Sequence, residues 1–420
     1  MIRAEPRPAG KILFIGHEAS RSGAPILLLQ LLQWLKRNSR WEFEILLKNG
    51  GPLEPDFAAL APTTVLKPSL AEKILGRLCE AAGWKTPARF SFPARAVRFA
   101  RRRKFNFIYV NTVAVAEAAA AVSALGLPLI WHIHELPFVI ESFGAEPSFR
   151  AAGRHRCHYL AASESVKHGL LEKYAIPAEK IRVIHEFITP VPVAIEARIA
   201  IGKSVREELS LPAGAFLAGM CGTVEWRKGA DWFVNTARNL ATEFPGSEIY
   251  FVWIGAADSQ QTQREIDHDI ELSGLRGRVK FIGTKTDSQR YLAALNVFVL
   301  SSREDPFPLV MLEAAALSLP IVCFNQTGGG PEFVGHDAGL VVEYGDTPAL
   351  AKSLVRLVGD PAWCARLGAA ARQKLTGAYT VETQAPKILG YIEEIMQRPS
   401  AAPGSVIAPA FGGKYPDACR

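Results

Sequence analysis

The segment 301–332, SSREDPFPLVMLEAAALSLPIVCFNQTGGGPE, carries two acidic residues, Asp305 and Glu313, eight positions apart. A carboxylate at the second position could accept hydrogen bonds from both hydroxyls of a ribose, as acidic residues do in other nucleotide-binding folds. Taken alone, Asp305 is equally well explained as a helix cap or a surface charge. The pair within this segment favours a nucleotide site.

The same segment predicts a strand that ends near Ser301 and a helix that starts around residues 306–308. Proline suits a first helical turn, because its missing N–H would be unpaired there anyway. The free N–H groups of Leu309 and Val310 would then point out of the helix start, where a diphosphate is well accommodated. We expect Glu313 about two turns further on, on the side that faces a cleft.

A second segment, GTVEWRKGADWFV at 222–234, predicts a strand that ends at Gly222 and a helix that begins near Gly229. Arg227 and Lys228 stand just ahead of that helix. Cations there would meet the negative charge that builds on a departing nucleoside diphosphate. By itself, a basic pair before a helix is weak evidence, and the whole pattern carries the prediction.

The segment GHEASRSGAP at 16–25 follows the first predicted strand. Gly23 would let the backbone approach a phosphate or a sugar closely, although a simple turn would also explain it. The segment is not GxGxxG, and the second strand ends in Leu47 and Lys48 without an acid for a dinucleotide ribose. Both facts argue against a nicotinamide or flavin enzyme.

The segment LIWHIHELP at 129–137 places His134 and Glu135 at the carboxyl end of a strand, where site residues collect. His132 lies further inside the same strand and is interpreted as a structural histidine. No HExxH pattern or third ligand follows, so we expect no metal here.

Short apolar runs alternate with amphipathic stretches along the chain, which is typical of buried parallel sheets with crossover helices. We predict an α/β protein with two Rossmann-like doubly wound domains facing a central cleft. The expected parts are a first domain over 1–190, a second domain over 191–380, a returning helix over 381–397 and a flexible tail over 398–420. A hinge is expected over 188–200.

The composition is that of a soluble α/β protein, with 49% hydrophobic and 21% charged residues. Six scattered cysteines without a CxxC pair disfavour a zinc site or a disulfide framework. The start, MIRAEPRPAG, lacks a secretory core, and the alanine-rich stretch 113–131 is interpreted as a packed helix running into a strand. We therefore expect a cytoplasmic protein without a cofactor.

Basic residues are concentrated between Lys67 and Lys104, where Glu72 and Glu80 alone oppose them. A solvated helical face is one explanation. The other is a patch that meets an anionic membrane or a phosphate-bearing acceptor, each surface cation adding about 1 kcal/mol. The interleaved aromatics Trp84, Phe90, Phe92 and Phe99 suit interfacial contact. No nucleic-acid-binding module accompanies the patch, so nucleic acid is not an expected partner.

In chain order, these segments resemble the retaining glycosyltransferases of family 4, which have the GT-B fold. The resemblance covers about residues 10–397 and implies an acceptor-binding domain over 1–190 and a nucleotide-sugar-binding domain over 191–380. Its landmarks are GAPILLLQL (23–31), GGPLEPDF (50–57), HIHE (132–135), AASESVKHGLLEKYAI with KIRVI (161–184), GTVEWRKG (222–229) and DPFPLVMLEA with GGPE (305–332).

The resemblance implies a role for each matching residue. Glu313 stands at the second glutamate of the family motif and would bind the ribose, while Asp305 stands at the first and would lie by the transferred sugar. Lys228 matches the lysine on the leaving phosphate. The family arginine five residues earlier is Thr223 here, and Arg227 is a candidate replacement.

The remaining roles are carried over in the same way. His134 matches the histidine beside the reacting sugar, and Gly23 matches the glycine loop near the donor phosphate. Leu309 and Val310 match the backbone donors to the diphosphate, and Pro308 replaces the usual glycine. The candidate catalytic residues are therefore His134, Asp305 and Lys228, and the candidate donor-binding residues are Gly23, Thr223, Arg227, Lys228, Phe307, Leu309, Val310 and Glu313.

The resemblance implies a metal-independent enzyme that moves a hexose, with retention, from a UDP- or GDP-linked sugar to a saccharide or lipid-linked acceptor. Synthesis of cell-surface polysaccharide or glycoconjugate is the expected context. Two alternatives stay open: a sugar-nucleotide epimerase of the same fold and a non-catalytic sugar-nucleotide-binding protein.

Overall fold

The computed structural model describes residues 9–67, 74, 79, 88–191 and 193–398. Two parallel sheets organise this part of the chain, one of seven strands and one of six. Each strand is joined to the next by a crossover, usually a helix, so both faces of each sheet are covered and the strands are nearly continuous apolar runs. The α/β prediction with two Rossmann-like domains is confirmed.

The first sheet has the strand order β3-β2-β1-β4-β5-β6-β7, with β4 at the centre. Its order reverses between β1 and β4, where their carboxyl ends open a crevice for ligands. Its strands are β1 (Gly10–Gly16), β2 (Trp41–Leu47), β3 (Thr63–Val65), β4 (Phe107–Asn111), β5 (Leu129–Ile133), β6 (Cys157–Ala161) and β7 (Ile181–Val183).

Helices cover both faces of this first sheet. The α-helices that cover it are Gly23–Asn38, Glu54–Leu60, Phe92–Arg101, Ala116–Ser123, Pro137–Ser142, Glu146–Gly153 and Glu164–Glu172. The short 3-10 helices are Ala88–Phe90, Val113–Val115 and Ala178–Lys180.

The second sheet has the order β10-β9-β8-β11-β12-β13 and reverses between β8 and β11. Its strands are β8 (Phe216–Cys221), β9 (Ile249–Ile254), β10 (Val279–Phe281), β11 (Val297–Leu300), β12 (Ile321–Phe324) and β13 (Gly339–Val342). The accompanying helices are Ile195–Glu208, Ala230–Glu243, Gln260–Leu272, Ser288–Ala294, Leu309–Ala316, Gly329–Val334, Thr347–Gly359 and Pro361–Ala378, with a 3-10 turn at Trp226–Lys228.

A last helix, Val381–Gln397, leaves the second sheet and packs against the helix Gly23–Asn38 of the first. Trp34 donates its indole N–H to Glu382 at 2.7 Å, and Arg182 pairs with Glu394 at 2.7 Å. The chain therefore crosses between the two sheets twice, near Ile188 and near Thr380, and the two crossings touch through a parallel bridge.

The expected hinge over 188–200 is wrong in its second half, because Ile195–Glu208 is a helix. Arg198 fixes this helix to the second sheet, donating to the carbonyls of Leu295 and Leu317 at 3.0 and 2.7 Å. These contacts are tertiary, and the local sequence pattern does not predict the helix, because its apolar residues are spread around it instead of lying on one face.

The aromatic part of the basic-patch hypothesis is also wrong for two residues. Phe92 and Phe99 are buried under the helix Phe92–Arg101, so they present no apolar surface to a membrane. Trp84 lies outside the described residues, as do residues 399–420 of the predicted tail.

Within the described residues, no helix is both long and apolar enough to cross a bilayer. The cysteines of this part of the chain, Cys79, Cys157, Cys221, Cys323 and Cys364, are all free thiols.

Candidate active site

The helix Leu309–Ala316 follows the carboxyl end of β11 after the loop 301–308, with Pro308 at its N-cap. The backbone N–H groups of Leu309 and Val310 have no acceptor inside the helix and are suited to an anion, whereas the N–H of Met311 donates to the carbonyl of Pro308 at 3.1 Å. Glu313 follows one turn after the start, not two as expected, because the helix begins at Leu309 rather than at residue 306.

Glu313 lies in a half-buried position between the end of β8 and the helix Ser288–Ala294. Burial raises the pKa of its carboxyl to about 7, and a hydrogen bond from Gln289 opposes part of that rise. An ionised carboxylate has about four lone-pair sites, so acceptor capacity remains for hydroxyl donors beside the Gln289 bond.

Lys228 and Asp305 form the central ion pair of the second domain. Lys228 Nζ donates to Asp305 Oδ2 at 2.5 Å, and Ser302 Oγ donates to the same oxygen at 3.0 Å. Asp305 is only 4% exposed. The sequence predicted both residues for the site, and the structure brings them into direct contact.

Gly229 positions this pair. It adopts a left-handed conformation with φ of 69°, and an added Cβ would lie 2.0 Å from the carbonyl oxygen of Ser301. Only glycine fits such a close approach of two backbones. The loop that carries Lys228 therefore lies directly on the end of β11, at Ser301, four residues before Asp305.

Arg227 reaches towards the same carboxylate. Its guanidinium lies 3.8 Å from Asp305 Oδ1, pairs with Glu225 at 2.8 Å and donates to the carbonyl of Glu304 at 3.1 Å. Thr223, where the family arginine is missing, is exposed beside Gly222. Arg227 is thus the cation beside Lys228 in this cluster.

Arg303, which the sequence analysis did not single out, fastens the two loops together. Its guanidinium donates hydrogen bonds to both carboxylate oxygens of Asp231 at 2.7 and 2.6 Å and to the carbonyl of Trp226 at 2.7 Å. Its backbone N–H donates to the carbonyl of Arg227 at 2.8 Å. An arginine one residue before an acid gives little sequence signal, because its partners come from a segment about seventy residues earlier.

His134 is buried in the first domain with both ring nitrogens engaged. Nδ1 lies 3.0 Å from Glu186 Oε1, and Nε2 lies 2.8 Å from Asn111 Oδ1. Asn111 donates through its amide to the carbonyl of Ala24 at 3.1 Å, which orients its oxygen towards the histidine. His134 therefore connects the segment after β7 to the start of the helix Gly23–Asn38.

Glu186 and Asn111 were missed by the sequence analysis. Burial raises the pKa of Glu186, and the His134 hydrogen bond acts against that rise. In the sequence, Glu186 follows a short strand, where it looks like any other buried residue. Only its contact with His134 identifies it as part of the site.

Thr112 and Glu135 form a second buried connection at the carboxyl ends of β4 and β5. Thr112 donates its hydroxyl to Glu135, which also accepts from the backbone N–H of Val113 at 3.2 Å and of His134 at 2.9 Å. Thr112 has a φ of 77°, an uncommon value for a β-branched residue. Strain of this kind is concentrated at functional sites.

His132 behaves as the structural histidine that was predicted. Its Nδ1 lies 2.6 Å from the hydroxyl of Tyr109, and burial holds its pKa well below the usual range. Among the described residues, no group of three or more His, Cys, Asp or Glu side chains is arranged to hold a metal ion.

Gly23 and Phe307 occupy different surroundings. Gly23 begins its helix, and an added Cβ there would meet no described atom within 4 Å. The Phe307 ring is buried against His185 and Tyr379, with centroids at 4.9 and 5.3 Å. Any contact of Phe307 with a donor is therefore left to its backbone.

Two carboxylates of the second domain hold the first domain across the cleft. Glu304 accepts from the backbone N–H of Phe138 at 3.2 Å. Glu332 accepts from the backbone N–H groups of Glu164 and Ser165 at 3.1 and 2.9 Å, at the start of the helix Glu164–Glu172. His185 lies 3.2 Å from the same carboxylate.

The fold and this cluster define a protein of two facing Rossmann-like domains whose cleft carries cations, buried acids and an open helix start. The family description Glycosyl transferases group 1 matches residues 215–360, and Glycosyltransferase Family 4 matches residues 21–190. The chain belongs to this family of glycosyltransferases.

Similar sequences share about half their length with the chain. The lipopolysaccharide core biosynthesis glycosyltransferase LpsE of Rhizobium meliloti is 30% identical over 42% of this chain and 49% of LpsE. The GDP-mannose-dependent monoacylated alpha-(1-6)-phosphatidylinositol monomannoside mannosyltransferase of Corynebacterium glutamicum is 28% identical over 40% of this chain and 44% of that protein. The chain thus spans about half the length of the curated relatives it matches.

Similar solved structures cover nearly the whole fold. Anabaena Alr3699/HepE, in complex with UDP and glucose, superposes with a TM-score of 0.75 at 22% identity, over 91% of this chain and 99% of that chain. The lipopolysaccharide outer core galactosyltransferase WaaB, in its apo form, gives 0.67 at 13% identity over 91% and 99%. At these identities the likeness shows the fold, which is GT-B.

Proposed function

We propose that the chain is a retaining hexosyltransferase that uses a UDP- or GDP-linked sugar and an acceptor hydroxyl on a saccharide or a lipid-linked saccharide. Cell-surface polysaccharide or glycoconjugate synthesis is the proposed context, in keeping with the lipopolysaccharide core role in the name of LpsE. The observation that carries the proposal is the Lys228–Asp305 pair beside the start of the helix Leu309–Ala316.

In this proposal the second domain binds the donor. Glu313 accepts the ribose hydroxyls, and the N–H groups of Leu309 and Val310 bind the diphosphate. Lys228 and Arg227 stabilise the negative charge that grows on the diphosphate as the sugar leaves. Groups held in place before the reaction stabilise such charge without reorganisation, and each well-aimed one is worth about 100- to 1,000-fold in turnover.

Asp305 faces the transferred sugar in the proposed complex. Its carboxylate balances the positive charge that develops at the anomeric carbon, while the departing diphosphate takes the proton of the acceptor hydroxyl. Both ring nitrogens of His134 are bonded within the protein, so its proposed role is to shape the sugar pocket rather than to transfer a proton. The reaction is proposed to need no divalent metal.

Peripheral contact with an anionic membrane is a second part of the proposal. Arg98, Arg101, Arg102 and Lys104 are exposed on and after the helix Phe92–Arg101. Arg103 is different, because it pairs with Glu44 at 3.1 Å. Flotation with anionic vesicles is expected to show binding that falls with salt, since screening weakens such contacts. Binding that changes neither with the salt concentration nor with the vesicle charge would contradict the proposed membrane contact.

Thermal-shift screening with UDP-, GDP- and dTDP-sugars tests the donor, because a ligand stabilises the folded state in proportion to its affinity. Transfer is then measured with the best donor and an acceptor panel, with and without EDTA. The proposal expects a saccharide product of retained configuration in both conditions. An epimerised donor formed without acceptor, or tight donor binding without transfer to any acceptor, would replace it with one of the two alternatives.

A further inference from the structure

A cavity of about 820 Å³ lies between the two domains, next to the proposed reaction centre. Its lining includes Leu136, two residues beyond His134, and Glu304 and Gly328, which flank Asp305 in space. We call this cavity the aromatic groove. Its volume is within the range of about 300–1,000 Å³ that is typical of small-molecule sites, which often lie between domains.

Three exposed aromatic side chains line the aromatic groove. Phe138 of the first domain and Trp226 of the second are 54% and 56% exposed, and their rings meet across the domain gap with centroids 5.2 Å apart. Tyr344 is 49% exposed and stands edge-on to Trp232 at 5.0 Å. Large aromatic residues exposed together in a concave site indicate binding rather than packing.

Arg303 makes this surface rigid. Its guanidinium lies between Trp226 and Trp232, 5.0 and 4.0 Å from the two ring centroids. Stacking of this kind, together with the Asp231 pair described above, fixes the Trp226 ring before any ligand arrives. A fixed aromatic face binds with less loss of conformational freedom than a mobile one.

The rim of the aromatic groove is polar. Glu172, Lys173 and Gln326 stand around the aromatic side chains, and Lys173 is held by Glu141 at 2.9 Å. Planar carboxylate and amide groups beside aromatic faces match a sugar ring, whose C–H face is apolar and whose hydroxyls point sideways. The charged lining consists of four carboxylates and two cations, which disfavours a phosphorylated ligand: Glu164, Glu172, Glu304 and Glu332 against Lys173 and Arg303.

From these contacts we infer that the aromatic groove binds a neutral saccharide segment of the acceptor, remote from the hydroxyl that reacts. The inference rests on the proposed function. Sugar rings stack on Phe138, Trp226 and Tyr344 and hydrogen-bond to the rim. Because the two walls come from different domains, a bound saccharide also favours the closed arrangement of the cleft, and its remote binding energy positions the reacting hydroxyl.

Saturation-transfer NMR on the full chain with bound UDP tests this inference. The probes are short neutral oligosaccharides of glucose, galactose, mannose and N-acetylglucosamine. We expect at least one of them to receive saturation at its ring C–H protons. The double variant Phe138→Ala with Tyr344→Ala is expected to weaken that binding about tenfold, as loss of central aromatic contacts does. UDP affinity should remain unchanged.

Phe143→Ala is the matched control. Phe143 is 52% exposed, close to Phe138 in sequence, and does not line the aromatic groove. Equal saccharide binding by the double variant and the control would overturn the inference, as would a panel in which no saccharide is saturated while UDP binds normally. Absence of UDP- and GDP-sugar binding would instead overturn the proposed function.

Discussion

Lys228 and Asp305 meet at 2.5 Å although they come from loops that follow different strands, β8 and β11. The pair is nearly buried, and such a pair is costly to desolvate unless further bonds satisfy it. Ser302 supplies a hydrogen bond to the carboxylate at 3.0 Å, and the Arg227 guanidinium adds a second positive charge 3.8 Å from its other oxygen. In the proposed complex, this fixed cation would face the leaving diphosphate and this fixed acid would face the sugar.

Lys228→Ala is predicted to reduce turnover about 100- to 1,000-fold, because it removes one fixed donor to the leaving group. Steady-state kinetics with the donor found by thermal shift provide the measurement. Lys352→Ala is the matched control, since Lys352 is an exposed partner of Glu243 at 3.5 Å. Near-normal turnover of Lys228→Ala would show that the lysine does not serve the leaving group.

Arg227 and Thr223 give a rescue experiment. Arg227→Ala is predicted to lower kcat about 100-fold, because Arg227 is the second cation of the cluster. Adding Thr223→Arg in that background should recover at least part of the loss, since it restores the arginine of the family pattern. If Arg227→Ala keeps its kcat, Arg227 does not replace the family arginine.

The titration of Glu313 should make donor binding depend on pH. Its carboxyl has a pKa raised by burial to about 7, and only the ionised form accepts two ribose hydroxyls. The affinity for the donor sugar nucleotide should therefore rise about tenfold between pH 6 and pH 8, as the competent fraction grows. Calorimetry with an esterified donor is suitable, because its diphosphate does not titrate in this range.

Glu313→Gln provides the control for that dependence, since a neutral amide cannot titrate. The variant should bind more weakly at pH 8 and show no change with pH. A wild-type affinity that is flat from pH 6 to pH 8, or a slope that persists in the variant, would remove Glu313 from the ribose site.

Glu332 contributes to the contact that holds the two domains together. Glu332→Gln should destabilise the protein by about 0.5–1.5 kcal/mol, because the exposed N–H of Glu164 and the half-buried N–H of Ser165 lose a charged acceptor. The radius of gyration in small-angle scattering should increase as the cleft opens. Glu146→Gln, which alters only an exposed pair with Arg150, is the control.

The same contact has a defined pH dependence. Burial alone would raise the pKa of Glu332, but hydrogen bonds from His185 and Ser165 outweigh it and hold the pKa below its usual 4.5. Its stabilisation is therefore complete above pH 4.5 and is lost as the pH falls through the lowered pKa. Melting temperatures of wild type and Glu332→Gln should converge in acid, and a constant difference would contradict this assignment.

Much of the fold could be predicted from local pattern. Buried parallel strands are short apolar runs, so the predicted ends of β2, β8 and β11 agree with the structure to within a residue. The strand β3 gives no such signal, because Thr63–Val65 is a short, half-buried edge strand without an apolar run. The helix start at Leu309 was placed approximately, and its distance from Glu313 was misjudged by one turn.

The types and order of the site residues can be read from the chain alone: Lys228 before a helix, Asp305 and Glu313 in one segment, and His134 at a strand end. Their partners, such as Glu186 for His134 and Asp231 for Arg303, are set by the folded arrangement. Local periodicity records which side of an element is buried, whereas the packing of distant strands sets which side chains meet at the carboxyl edges of the sheets.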